Sequence, residues 1–322
     1  MREKMNKLNC LYKLGGIRLV MYKLIDIVLH TSYKDEHLYE ICKNTNPSDY
    51  EKTLKIYYKM KTGAELDLNN PLTFNEKIQW MKLHDTTEKK TMLVDKYLVR
   101  KWVASEIGEH YLIKNLGVWE RFDDIDFSIL PNQFALKCNH GSGWNIVVKD
   151  KKSFDFKEAK RKFDKWMSMN FAFVDGFELQ YKDVKPLIIA EEYIEELNGN
   201  LLDYKIHVFN GTPRIVQVIG DRIIETHSAK EAFFDTEWTP VSDIMYHTYD
   251  SYTLLPEKPT NLKEMLNIAS ILGRDFKYVR VDFYNIADHL LFGEMTFTPM
   301  SGFGKWGGYT EKMYSVGSWI SI

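Results

Sequence analysis

Arg280-Val281-Asp282-Phe283-Tyr284, followed by Gly293-Glu294-Met295-Thr296-Phe297-Thr298-Pro299-Met300-Ser301-Gly302, decides how this chain is read. Residues two apart on a strand point to the same side. As a β-hairpin, the stretch puts Arg280, Asp282 and Tyr284 on one face and Val281 and Phe283 on the other. On the returning strand Glu294 and Thr296 share a face, opposed by Met295 and Phe297. The turn from Asn285 to Asp288 is short, so Asp282 and Glu294 stand nearly opposite each other. Two carboxylates side by side repel unless positive charge lies between them. A hard divalent cation with oxygen ligands is the usual answer, and magnesium commonly shares such a site with nucleotide phosphates. A solvated acidic hairpin face is the plain alternative.

Upstream, Gln133-Phe134-Ala135-Leu136-Lys137-Cys138-Asn139-His140-Gly141-Ser142-Gly143-Trp144-Asn145 offers a phosphate-binding signal. Phe134, Leu136 and Cys138 line one strand face, which leaves Lys137 and Asn139 on the other. A lysine in that position meets solvent, a carboxylate or a phosphate. The loop after it carries Gly141 and Gly143, where backbone N–H groups can approach an anion. The glycines sit inside a hairpin, so this is neither a P-loop nor a dinucleotide fingerprint; an ordinary turn reads as well. A third piece, Pro186 to Glu196, is an apolar strand ending in acids before a polar loop, Leu197 to Asn200. Such a strand end can face the edge of an adenine, or can simply leave the core.

The remaining candidates are placed by the same patterns. Asp203 and Lys205 share a strand face, either as a mutual ion pair or as ligand contacts, before a hairpin turning at Asn210-Gly211. Arg222 ends the next strand, where a carboxylate substrate and a structural salt bridge are equal readings. His140 sits in the glycine loop, as a phosphate donor or as a turn residue without a role. After the acidic hairpin comes Ser301-Gly302-Phe303-Gly304-Lys305-Trp306-Gly307-Gly308, whose glycines let backbone approach a substrate and whose aromatics can stack on a sugar. Toward the front, Thr73-Phe74-Asn75-Glu76 fits a capping box. Val94, Tyr97, Leu98 and Trp102 recur at helical spacing and predict one helix ending near Gly108, with Lys96 and Arg100 four apart and Arg100 on a solvated face. Leu262, Met265, Leu266, Ala269 and Leu272 predict an amphipathic helix before the acidic hairpin.

Composition is that of a globular protein: 322 residues, 44% apolar and 27% charged. The 43 basic residues nearly balance 45 acidic ones, and no field points to nucleic acid. Cys10, Cys42 and Cys138 make no zinc spacing and no disulfide framework, which suits a reducing cytoplasm. Cys138 shares its face with Phe134 and Leu136 and reads as core. There is no membrane-spanning run. A basic start, with Arg2, Lys4, Lys7, Lys13, Arg18 and Lys23 beside the apolar Leu8, Leu11, Tyr12, Leu19 and Val20, can touch the inner face of an anionic membrane or be an ordinary terminal helix, interrupted at Gly15-Gly16.

Taken in order, these pieces resemble the ATP-grasp superfamily, with spacing similar to that of D-alanine–D-alanine ligases. The closer resemblance is to its TupA-like branch, associated with teichuronopeptide and bacterial surface-polysaccharide synthesis. It is carried by Leu72-Thr73-Phe74-Asn75-Glu76-Lys77, Asp95-Lys96-Tyr97 with Arg100, Lys137 to Gly143, Asp203-Tyr204-Lys205, Phe233-Phe234-Asp235 with Trp238, and the acidic hairpin. The resemblance implies an α+β fold with two lobes gripping ATP behind a helical N-terminal region. Its divisions fall at residues 1–110 for the helical region, 111–200 for the lobe with Lys137 and the adenine strand, and 201–322 for the lobe with the metal hairpin.

The resemblance also implies site roles. Lys96, Lys137, His140, Gly141, Ser142, Gly143, Glu191, Glu192, Tyr193, Ile194 and Asp203 would contact ATP. Asp282, Glu294 and Thr296 would hold magnesium, with Thr296 standing where the superfamily usually has Asn. Arg280, Lys205 and Arg222 would serve catalysis, and Ser301, Gly302, Gly304, Lys305 and Trp306 the substrate. The implied reaction joins an amine to a glycan or sugar-nucleotide carboxylate through an acyl phosphate, in a protein that is often a homodimer. A sugar kinase using the same ATP site is one alternative. A glycosyltransferase is another, although no Asp-x-Asp motif lies near and Lys137 has no role in one.

Overall fold

The computed structural model describes residues 2–29, 32–194, 201–223, 226, 228–241, 248–306 and 310–322. Helices come first: α1 (Arg2–Leu29), α2 (Tyr33–Asn44), α3 (Tyr50–Thr62), α4 (Phe74–His84), α5 (Glu88–Val94) and α6 (Leu98–Ile107). The N-terminus of α4 is the capping box that the sequence predicts, with Thr73 and Glu76 satisfying each other's backbone N–H groups. Gly15 and Gly16 leave helical geometry inside α1 and divide it into two arms.

Two antiparallel-based sheets follow. The smaller contains β1 (Asn115–Trp119), β2 (Phe134–Cys138), β3 (Asn145–Val148) and β4 (Ile188–Glu192) in the order β1-β4-β2-β3. Its apolar face, with Phe134, Leu136, Cys138, Ile188 and Ala190, packs on Ala159 and Phe163 of α7 (Phe156–Met167). The larger holds β5 (Asp203–Phe209), β6 (Thr212–Ile223), β7 (Ser228–Phe234), β8 (Asp250–Ser251), β9 (Tyr278–Ile286) and β10 (His289–Thr296) in the order β10-β9-β5-β6-β7-β8.

Alternation along the larger sheet sorts its side chains. Ile206, Val208, Val279, Val281 and Phe283 join one core cluster with Leu262, Met265, Ile268, Ala269 and Leu272 of α8 (Leu262–Gly273). The opposite face therefore presents Asp203, Lys205, His207, Gln217, Arg280 and Asp282. Burying so many polar groups is tolerable only where they satisfy one another. His207 is a measure of this: Tyr278 Oη lies 2.8 Å from its Nδ1, and burial pushes its imidazole down to about 3.

One sequence expectation fails at α5 and α6. The predicted single helix is broken at Asp95, whose Oδ1 accepts from the backbone N–H of Tyr97 at 2.8 Å and of Leu98 at 3.2 Å. This side-chain bond starts a new helix and competes with continuation of the old one. Tyr97 and Leu98 are consequently exposed instead of inward. The last helix, α9 (Thr310–Ser318), returns to pack on α4, and Gly317 lies against the Leu72 carbonyl, where a Cβ would come within 2.3 Å.

Candidate active site

β9 and β10 pair in the register their sequences imply, with Glu294 opposite Asp282 and Thr296 opposite Arg280. Two local features set it. The turn residues Ala287 and Asp288 both take left-handed geometry, at φ 48° and 63°. Thr260 Oγ1 supports the turn by donating to Asp288 Oδ1 at 2.7 Å. The register then skips at Gly293, where a Cβ would stand 3.1 Å from the Asp282 carbonyl oxygen. A bulge of this kind re-aims the residue after it, and here that residue is Glu294.

The positive charge between the two carboxylates is Arg280. Its Nε donates to Asp282 Oδ1 at 2.7 Å. Its Nη2 donates to Asp282 Oδ2 at 2.7 Å, Glu294 Oε1 at 3.2 Å and Thr296 Oγ1 at 3.1 Å. Lys205 Nζ donates to Asp282 and lies 2.7 Å from Asp203 Oδ2, while Arg222 Nη2 reaches the same oxygen at 3.0 Å. The row reads as alternating charge, Glu294, Arg280, Asp282, Lys205, Asp203 and Arg222. Each buried ion thus has an opposite neighbour, the condition under which such a cluster survives desolvation. Asp282, Glu294 and Thr296 offer oxygen donors only, which suits a hard dication. Among the described residues no three His, Cys, Asp or Glu converge as a metal cage, so water or phosphate would complete any coordination.

The smaller sheet faces this row with a second cluster. Lys137 Nζ donates to Glu191 Oε2 at 2.6 Å, and Arg100 Nη1 to Glu191 Oε1 at 3.3 Å. Arg100 also donates to the Ile113 carbonyl at 2.5 Å. Arg100 is therefore a buttress of the site and not the solvated residue that the sequence suggests; the break before α6 turns it inward. The Glu191 carboxylate holds Lys137 and Arg100, so an adenine edge would meet the segment beyond it, exposed Glu192 and half-buried Tyr193 and Ile194. Glu195, Glu196 and the polar loop from Leu197 to Asn200 lie outside the described residues.

Lys96 joins the two halves. It sits in the helix break with its backbone N–H on the Asn139 carbonyl at 3.1 Å and its Nζ donating to the Gly141 carbonyl. Burial lowers its ammonium pKa; Glu294 and Glu191 work against that shift and Lys137 adds to it. Acids from both sheets act on this one lysine, beside a crevice lined by Lys96, Val99, Tyr181, Gly293 and Glu294.

In the glycine loop the two glycines have different causes. Gly143 takes φ +72° with open space around it, whereas a Cβ on Gly141 would meet Trp144 at 2.6 Å and Phe171 at 2.8 Å. Ser142 and Gly143 form an exposed tip. His140 is buried, with Nε2 3.2 Å from the Trp166 carbonyl and Nδ1 3.3 Å from Asn139 Oδ1, so both ring nitrogens have protein neighbours. Cys138 is core, and burial pushes its thiol up to about 12.

The segment after β10 differs most from its sequence reading. Met300, Ser301 and Gly302 are left-handed in succession, at φ 49°, 50° and 68°. Lys82, wholly buried on α4, donates from Nζ to Ser301 Oγ at 2.8 Å and to the Ser301 carbonyl at 3.1 Å. Gln79 Nε2 donates to the carbonyls of Ser301 and Gly302, both at 2.9 Å. The Trp306 ring is buried against Phe74 and its Nε1 donates to Asn75 Oδ1 at 3.2 Å, while Phe303 packs on Tyr57 and lies under the Lys82 ammonium. Both rings offered to a sugar are committed to protein. Gly304 is buried too, its carbonyl bound by Asn75, which leaves Lys305 as the exposed side chain of the 301–306 run. Gly307 and Gly308 fall outside the described residues. A Cβ on Gly302 would stand 2.5 Å from Gln79 Nε2 and 2.7 Å from Ile78 Cγ2. Gly302→Ala is therefore expected to destabilise the fold by about 2 kcal/mol or more. An unchanged urea midpoint would show that the loop relaxes freely.

Beside Lys82, Glu178 accepts from Thr298 Oγ1, itself bound by Gln180 Nε2 at 2.8 Å. Burial pushes the Glu178 carboxyl from 4.5 up to about 7, with Lys82 opposing, and pushes Lys82 down to about 8. The folded state thus binds a proton at Glu178 more tightly than the unfolded chain. That contribution to stability is full below pH 4.5 and is lost as pH rises toward about 7. Glu178→Gln is expected to flatten the decline in urea midpoint between about pH 4.5 and 7. Parallel profiles for the two proteins would contradict this assignment.

Comparison with known proteins places this geometry. No curated protein sequence matches the chain. Among solved structures, D-alanine–D-alanine ligase from Bacillus anthracis is 16% identical, covering 64% of this chain and 57% of that one, with a TM-score of 0.37. L-amino acid ligase from Bacillus licheniformis is 15% identical, covering 74% of this chain and 50% of that one, with a TM-score of 0.42. The ATP-grasp ligase PsnB, complexed with minimal precursor, Mg and ADP, is 11% identical, covering 74% and 60%, with a TM-score of 0.36. This chain thus spans between half and three fifths of the length of these three proteins. At such similarity they do not identify it. The family description TupA-like ATPgrasp matches residues 76–312, from the capping box of α4 past the acidic hairpin, and the chain belongs to the TupA-like ATP-grasp family.

Proposed function

We propose that this protein is an ATP-dependent ligase that joins a carboxylate to an amine through an acyl phosphate. The observation that carries the reading is the meeting of Lys96 with acids from both sheets, between Lys137 on one side and the Arg280, Asp282 and Glu294 row on the other. Phosphoryl transfer asks for alignment and charge neutralisation more than for a protein nucleophile. Asp282, Glu294 and Thr296 are the residues that would hold magnesium, which neutralises phosphate charge when bound. Lys137 and Lys96 bind phosphate from the opposite side, with the Ser142-Gly143 tip offering backbone N–H groups. Arg280 would stabilise the charge on the transferring group. The carboxylate oxygen attacks the γ-phosphorus and ADP leaves; the amine then attacks the acyl carbon, phosphate leaves, and the nitrogen loses a proton.

The acceptor is a uronic acid of a bacterial surface polysaccharide, and the amine an amino acid or a small amine. Family membership supports this choice of substrate, and exposed Lys305, which follows the acidic hairpin in sequence, is a side chain open to a carboxylate. Phosphate release from ATP with uronate and amine mixtures tests the reading. Release that needs both substrates, with one ADP per amide, is expected. Release that needs only a sugar would make the protein a kinase.

A further inference from the structure

The second arm of α1, from Ile17 to Leu29, is turned inside out for a helix facing water. Leu19 is fully buried, yet Ile17, Met21, Leu24 and Val28 are 62%, 52%, 55% and 73% exposed. Their spacings of four, three and four residues keep them on one stripe of a helix with about 3.6 residues per turn. Leu19 lies about half a turn from that stripe, so the stripe is centred on the outward side. Arg18 borders one edge of it, and half-buried Lys23 lies toward the opposite side, nearer Leu19. The arm's acid, Asp26, accepts from the backbone N–H groups of Tyr33 at 2.9 Å and Lys34 at 2.8 Å. Gly15 (φ −139°, ψ 19°) and Gly16 (φ 63°, ψ −159°) end the first arm, which carries exposed Lys4, Lys7, Met5 and Tyr12.

The lysines of both arms gather. Lys7, Lys34 and Lys4 each help to depress Lys23, after burial. No described helix is long and apolar enough to cross a membrane. An apolar stripe bordered by cations is the pattern of a helix lying in a lipid–water interface, and the cations complement anionic headgroups.

We infer that this face of α1 docks on an anionic lipid bilayer, with Ile17, Met21, Leu24 and Val28 at the acyl boundary and Lys4, Lys7, Arg18 and Lys23 against the headgroups. A second copy fits the face less well. A two-fold contact sets the same patch against itself, which would bring the cations of both copies into one interface. The inference stands apart from the ligase reading.

Flotation of the full chain with vesicles tests it. Binding is expected to vesicles with about 30% phosphatidylglycerol, to fall steeply in about 0.5 M salt, and to be weak on pure phosphatidylcholine. The exposed pair Met21→Glu and Leu24→Glu is expected to weaken binding by about tenfold or more, and Lys4→Glu with Lys7→Glu to remove most of the preference for anionic lipid. Unchanged circular dichroism and ATP binding in these variants would show that the fold is intact. Absence of flotation on anionic vesicles at low salt would overturn the inference. So would flotation that Met21→Glu and Leu24→Glu leave unchanged, or a dimer without vesicle binding that the same pair dissociates.

Discussion

Asp282→Asn is expected to lower the turnover of ligation by about a thousandfold or more while the protein remains folded. The substitution keeps the shape of the side chain and removes its charge. Asp282 is the centre of the charged row, taking both Arg280 nitrogens at 2.7 Å and the Lys205 ammonium. With Asn there, Arg280 retains Glu294 and Thr296, and Lys205 retains Asp203. The cluster can therefore stay assembled while losing an anionic oxygen from the donors proposed for magnesium. Steady-state phosphate release, alongside a urea unfolding curve, measures both halves of the prediction. A loss of less than about tenfold with the fold intact would remove Asp282 from the magnesium site.

Arg280→Lys is the second large effect, expected to cost about a hundredfold to a thousandfold in kcat with little change in the KM for ATP. The guanidinium spans Asp282, Glu294 and Thr296 at once, through Nε and Nη2. An ammonium is a point charge and cannot reproduce that fork. A group that acts on the transferring phosphoryl lowers kcat and kcat/KM together when it is removed. A rise in KM for ATP with kcat unchanged would instead make Arg280 a nucleotide-binding residue.

The parts of this site legible in the sequence are those written by short-range rules. Alternation put Arg280 and Asp282 on one face, a short turn brought Asp282 near Glu294, and Thr73 and Glu76 announced α4, whereas the bulge at Gly293 that sets the two acids opposite was not legible. The same rules misread Tyr97 and Leu98, because helical periodicity does not register that Asp95 can cap a new start. Long-range partners were not legible. Nothing near Lys82 in sequence points to Ser301, 219 residues away, and nothing near Arg100 points to Glu191. Trp306 and Gly302 look like ligand contacts because aromatics and glycines serve both ligands and close packing; only α4, arriving from the front of the chain, decides for packing. The stripe on α1 was hidden for a related reason. The sequence offers Leu8, Leu11, Tyr12, Leu19 and Val20 to a membrane, whereas the fold buries Leu11 and Leu19 and exposes Ile17, Met21, Leu24 and Val28.

We expect ATP with magnesium to bind between the Lys137–Glu191 pair and the Arg280, Asp282 and Glu294 row. Titration calorimetry on the wild type, Lys137→Ala and Asp282→Asn tests it most directly. ATP binding that requires magnesium and is lost in both variants is the predicted result. Absence of ATP binding by the wild type, with binding of a UDP-sugar in its place, would contradict the account and make the protein a glycosyltransferase.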